Sequence, residues 1–109
     1  MEQKFYYGKD LPIKELGKGI SRQIMAYGKQ VMMVKIDFEA GVEGAIHSHP
    51  HVQATYVISG RFRFVNDGET REVAAGDSLY FAPNAAHGST CLEKGTLIDV
   101  FSPYREDFV

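Results

Sequence analysis

Tryptophan is absent from the chain, and cysteine occurs once, as Cys91. One thiol excludes an intramolecular disulfide and so excludes a disulfide-stapled scaffold. It is compatible with a reducing compartment, and its expected role is that of a small buried apolar side chain rather than a nucleophile. Long hydrophobic runs are also missing. No stretch approaches the ~20 apolar residues of a membrane-spanning helix. The segment Met1–Tyr7 lacks the apolar core of a signal peptide, so a cytoplasmic protein is expected. An excess of one charge is missing too: 12 basic and 14 acidic residues give a net charge of −2. With the two signs interspersed, neither nucleic acid nor a membrane surface is an expected partner. Finally, no segment sustains a helical hydrophobic period bounded by caps.

What remains is a chain of 109 residues, 44% of them hydrophobic, enough for one packed domain. Its pattern is of short β-rich runs separated by turn residues. Residues 1–19, broken by Gly8, Pro12, Gly17 and Gly19, are expected to be an irregular lead-in with room for one short strand. Strands are expected over Ile20–Tyr27, Gln30–Phe38, Ala54–Ser59, Arg61–Val65, Thr70–Val73, Ser78–Ala82 and Thr96–Ser102, with a core of about residues 20–103. Asn66-Asp67-Gly68 is a strong hairpin signal. Arg61-Phe62-Arg63-Phe64 alternates as a half-buried strand does. Many short strands with glycine turns indicate an all-β sandwich or barrel.

The chemistry concentrates in the histidines. Of the four, His47, His49 and His51 fall within five residues, and His87 lies further on. In an extended segment alternate residues share a face, so His47, His49 and Gln53 can point together, and a barrel can bring His87 beside them. Three imidazoles and an amide oxygen suit one divalent ion such as Ni, Zn, Fe or Mn. Without further support, surface histidines in a polar turn account for the pair His47 and His49 equally well.

The spacing resembles the cupin superfamily. Gly41, five residues, His47-Ser48-His49, three residues, Gln53, six residues and Gly60 follow that family's first motif, with glutamine in place of its acid. Ten residues separate Gly76 from His87, as in the second motif. Inside that motif Pro83 comes one residue late, Ala85 stands near the expected glycine, and Cys91 replaces an asparagine. The resemblance implies an antiparallel jelly-roll β-barrel and a metal on His47, His49, Gln53 and His87. His51 has no ligand role in the motif and is expected at the rim. A neutral glutamine leaves a divalent ion its full charge, which favours Lewis-acid isomerase or lyase chemistry over oxygen chemistry.

In the final strand, Asp99 lies between apolar neighbours and shares a face with Leu97 and Phe101. A carboxylate there is costly unless paired. Two readings stand: a general acid/base beside the metal, or a structural acid paired to arginine or backbone. Arg105 likewise reads as a clamp for a substrate carboxylate or as a surface ion pair with Glu106 or Asp107. His47-Ser48-His49-Pro50-His51-Val52-Gln53, the Gly76-Asp77 turn and the ending Leu97-Ile98-Asp99-Val100-Phe101-Ser102-Pro103-Tyr104-Arg105-Glu106-Asp107-Phe108 resemble the small pectin-degradation cupins. Those enzymes open 4,5-unsaturated uronate monosaccharides from pectin and alginate. The resemblance implies a catalytic role for Asp99 and Arg105, substrate contact by Phe101 and Arg105, and a homodimer. A cupin-type dioxygenase and a non-catalytic sugar-acid-binding module are the alternatives.

Overall fold

The structure is a computed structural model and describes residues 3–109. It is an antiparallel β fold: β1 (Ile13–Gly17), β2 (Ile20–Gly28), β3 (Val31–Phe38), β4 (Glu43–His47), β5 (Val52–Asn66), β6 (Glu69–Ala74), β7 (Ser78–Phe81) and β8 (His87–Ser102). Short 3₁₀ turns occupy Gly8–Asp10 and Glu106–Phe108. Among the described residues no helix is long and apolar enough to cross a membrane.

Two long strands organise the rest. β5 has 15 residues and β8 has 16, and they pair antiparallel from Val52↔Ser102 to Asn66↔His87. β3 pairs with the second half of β8, and β7 with the first half of β5. β4 pairs with the first half of β8, and β6 with the second half of β5. The long pair therefore belongs to two layers, and it must bend where it passes from one to the other.

The bend lies at Gly60 and Gly95. Register shifts cluster between Val57 and Phe62. A Cβ on Gly60 would lie 2.6 Å from the Glu93 carbonyl oxygen, and one on Gly95 would lie 2.1 Å from that of Ser59. Only glycine lets the backbones approach this closely. Gly60 also has φ +85°, a conformation that other residues avoid.

The layers close over one core. Phe38, Val57, Phe62, Phe64, Phe81, Cys91 and Leu97 form its main cluster, with Phe38 set edge-on to Phe62 at 5.3 Å between ring centroids. Met32, Val34 and Phe101 form a second cluster. Alternation decides membership: Phe62 and Phe64 are buried while Arg61 and Arg63 reach outward to Glu72 and Glu93. Cys91 is fully buried, as its expected apolar role requires.

Three sequence expectations need correction. The runs on either side of Gly60 are one bent strand, because glycine here permits a bend without ending the pairing. His87–Gly95 is strand, although its two glycines, Ser89, Glu93 and Lys94 give little β signal; pairing on both sides holds it. Glu43–His47 is also strand, fixed by β8 rather than by its own composition. The lead-in does contain a short strand, β1. The hairpin at Asn66 forms as expected, with Asp67 at φ 51° and Gly68 at φ 87° and Asn66 opposite Glu69, the backbone of a type I′ turn.

Candidate functional site

His47 ends β4 and lies opposite His87, the first residue of β8. His49 sits in the irregular link that follows, and Gln53 is the second residue of β5. The candidate ligands thus come from four places in the chain. Simple alternation along one strand does not align them, because the chain bends at Pro50-His51. The ligand atoms of His47, His49 and His87 nevertheless lie within 4.8 Å of one another.

Hydrogen bonds fix the tautomer of each ring. Nδ1 of His47 meets the carbonyl of Ala45 at 2.9 Å, Nδ1 of His49 that of His51 at 3.0 Å, and Nδ1 of His87 that of Ala85 at 3.0 Å. A carbonyl only accepts, so each Nδ1 must carry the proton. In neutral rings the Nε2 lone pairs are then free. Burial pushes the pKa of both His49 and His87 down, which keeps them neutral. Nε2 of His87 is buried with no hydrogen-bond partner among the described residues.

Gln53 faces this group with its oxygen. Oε1 approaches Nε2 of His49 at 3.0 Å, while Nε2 of Gln53 donates to Thr55 Oγ1 at 2.9 Å. Two lone pairs therefore confront each other with no proton between them. Such an arrangement is unfavourable unless an electrophile joins the atoms, and a divalent cation is the natural one. The residues thus fit a metal ion: His47, His49, His87 and Gln53 could hold it.

Thr55 extends the chain of contacts. Its hydroxyl donates to Asp99 Oδ1 at 2.6 Å. Thr55 is 1% exposed and Asp99 7%. Burial pushes Asp99 up to about 6, against the opposing pull of the hydrogen bonds from Thr55 and Gln53. Asp99 faces inward with Leu97 and Phe101, as the alternation implies. No arginine pairs with it among the described residues.

These groups line a cavity of about 290 Å³, bordered by His47, Gln53, His87, Asp99, Phe101, Arg105 and Phe108, with Leu16, Ile20, Ile36 and Leu97 as its apolar wall and Arg22 set among them. Phe101 stands edge-on to His49 at 5.7 Å, and Phe81 lies 4.5 Å from His87. Arg105 forms the ion pair with Asp107 that was one of the two sequence readings, through Nε (3.1 Å) and Nη2 (2.8 Å), and it also reaches the cavity, over Phe101 at 5.1 Å. His51 is half-buried and does not line the cavity; its ring lies 6.5 Å from that of Phe101, and its Nδ1 is buried with no hydrogen-bond partner among the described residues. Sequence reasoning missed Thr55, whose only signal was a hydroxyl on the buried face of a strand, opposite Asp99 in register. A larger depression of about 560 Å³ is lined by Glu15, Asp37, Glu39 and Lys94 among others. There Asp37 accepts from Thr96 and Glu39 pairs with Lys94, and none of the imidazoles reaches it.

Comparison with known proteins agrees with this fold. A Cupin domain family model matches residues 34–101. The pectin degradation protein KdgF of Dickeya dadantii (strain 3937) is 39% identical over 98% of this chain and 99% of its own. An RmlC-like cupin from Shewanella frigidimarina superposes with a TM-score of 0.95 at 42% identity, covering 99% of this chain and 97% of the other. KdgF from Halomonas sp. superposes with a TM-score of 0.93 at 32% identity, covering 99% of this chain and 100% of that one.

Proposed function

Because this chain belongs to the cupin domain family, we propose that it is a metal-dependent enzyme of pectin or alginate breakdown. In this reading it opens the ring of 4,5-unsaturated uronate monosaccharides to linear keto uronates. The observation that carries the reading is the convergence of His47, His49, His87 and Gln53 lone pairs beside a buried Asp99 in a cavity edged by arginine. The similarity to pectin-degradation proteins from two organisms supports the choice of substrate.

The substrate is a cyclic hemiacetal with a C4=C5 double bond and a carboxylate on C5. A divalent ion held by the four ligands supplies Lewis acidity to a substrate oxygen. Asp99 takes the proton of the C1 hydroxyl as its base. The C1–O5 bond breaks, C1 becomes an aldehyde, and its bonding pair leaves on O5 as an enolate. Asp99 then returns the proton to C4, and C5 becomes a ketone. Atoms balance as an isomerisation, without a redox cofactor. Phe101 packs against the sugar ring, and Arg105 donates to a substrate oxygen through the nitrogen that Asp107 leaves free.

The assembly in this reading is a homodimer. Met33, Tyr56, Ile58 and Tyr80 lie exposed on the outer side of the sheet, and a second copy would cover them; light scattering reads the stoichiometry directly. The chemistry is tested by NMR with metal-loaded protein and fresh 4,5-unsaturated galacturonate. Loss of the alkene signal faster than in buffer, and slowed by Asp99→Asn, is the expected result. A rate equal to buffer sinks the substrate assignment, and oxygen consumption by iron-loaded protein would replace it with a dioxygenase.

A further inference from the structure

The inward face of β2 presents Ile20, Arg22 and Ile24 in alternation. Arg22 therefore stands where the pattern calls for an apolar residue. It lies opposite Ile36, which lies opposite Leu97, and all three line the cavity that holds the histidines. A charge placed on that row is costly unless something compensates it.

The protein itself compensates it poorly. Across the β1–β2 ladder Arg22 lies directly opposite Lys14. Directly opposed residues share a face, and like charges so placed repel. The acid whose charge acts on Arg22 is Asp107, but both of its oxygens are engaged by Arg105. Among the described residues Arg22 enters no salt bridge. Its guanidinium rests 4.0 Å over the ring of Phe108, and that of Arg105 lies 4.3 Å from the same ring. One side of the cavity thus gathers two guanidiniums, Arg22 and Arg105, and one acid, and the acid is already paired.

We propose that Arg22 is an anion subsite of this cavity and holds the carboxylate of the uronate. The identity of the anion rests on the uronate reading above, whereas the case for an anion rests on a half-buried guanidinium that lines the cavity without a salt bridge. Arg105, neutralised by Asp107, then serves to orient Phe101 and to bond a neutral oxygen. A planar, bidentate guanidinium matches a carboxylate better than an ammonium does.

The test uses metal-loaded protein and two unreactive probes, galacturonate and its neutral methyl ester, titrated by protein NMR shifts. Arg22→Met is expected to weaken galacturonate by about 10- to 100-fold and to leave the ester unchanged. Arg22→Lys should recover part of the loss. Arg22→Gln, which keeps a polar head but no charge, should lose galacturonate as Arg22→Met does, and it keeps the proposal testable if Arg22→Met folds poorly. Three outcomes overturn it: wild-type protein that does not prefer galacturonate to its ester, unchanged galacturonate binding in Arg22→Met, or equal loss of both probes. The last would make Arg22 only a prop for Phe108. Arg22-dependent galacturonate binding without opening of the unsaturated sugar would uphold the subsite and discard the proposed reaction.

Discussion

At the scale of the residue, the site depends on which atom carries each proton. The backbone carbonyls of Ala45, His51 and Ala85 turn three histidines into acceptors aimed at one another. Thr55 does the same for Gln53: by accepting from its amide nitrogen it leaves the oxygen facing the histidines. Replacing Thr55 by valine keeps the shape but removes that control. Metal affinity, read by competition with a chromophoric chelator, is expected to fall about 10- to 100-fold, and Thr55→Ser should restore most of it. Equal affinity for all three proteins would mean that the hydroxyl positions nothing.

Asp99 gives a second residue-scale prediction, for metal-free protein. Its folded pKa of about 6 lies above the ordinary 3.8 because burial disfavours the charge. The stability its neutral form contributes is complete below 3.8 and is lost as pH rises through about 6. The difference corresponds to at most about 3 kcal/mol. Asp99→Asn carries no such loss, so its melting temperature relative to wild type should climb between pH 4 and pH 7. A constant difference across that range would contradict the assignment. His47, His49, His87 and Gln53 were legible in the sequence because motif spacing survives any fold. Thr55 and Arg22 were not, since their meaning lies in what stands opposite them on other strands.

At the scale of the element, the bent pair of β5 and β8 decides the architecture. Strands of 15 and 16 residues exceed the usual length because each serves two layers. Gly95→Ala must push a Cβ into the Ser59 carbonyl, with 2.1 Å available. It should destabilise the fold by about 3 kcal/mol, measured by chemical denaturation. Gly8→Ala meets nothing within 4 Å and should stay within about 0.5 kcal/mol of wild type. The Asn66-Asp67-Gly68 hairpin was readable because its turn chemistry is local. The strand character of Glu43–His47 and His87–Gly95 was not, because partners from distant sequence impose it.

At the scale of the whole molecule, a metal ion on His47, His49, Gln53 and His87 would join segments from separate parts of the chain that are otherwise tied by the sheet. An ion bound to β4, the following link, β5 and β8 favours the folded state over the unfolded one. At a free concentration about 100-fold above its Kd, it should add about 2.7 kcal/mol, a rise in Tm on the order of 10 °C. A chelator should reverse the shift, and His87→Ala should abolish it. No shift with any of Ni, Zn, Fe or Mn would remove the metal from the reading.

The sequence by itself determined the class of fold and the candidate ligands. Alternation and turn residues are local properties, and the histidine spacing is fixed along the chain. Only the tertiary structure decided that β5 and β8 bend at paired glycines, and that Thr55 joins Gln53 to Asp99. It alone set Arg22 on an inward row opposite Lys14, beside an acid already claimed by Arg105. These facts concern residues distant in sequence, and their energies depend on burial and on lone pairs or charges left facing each other. Such quantities exist only once the layers have closed.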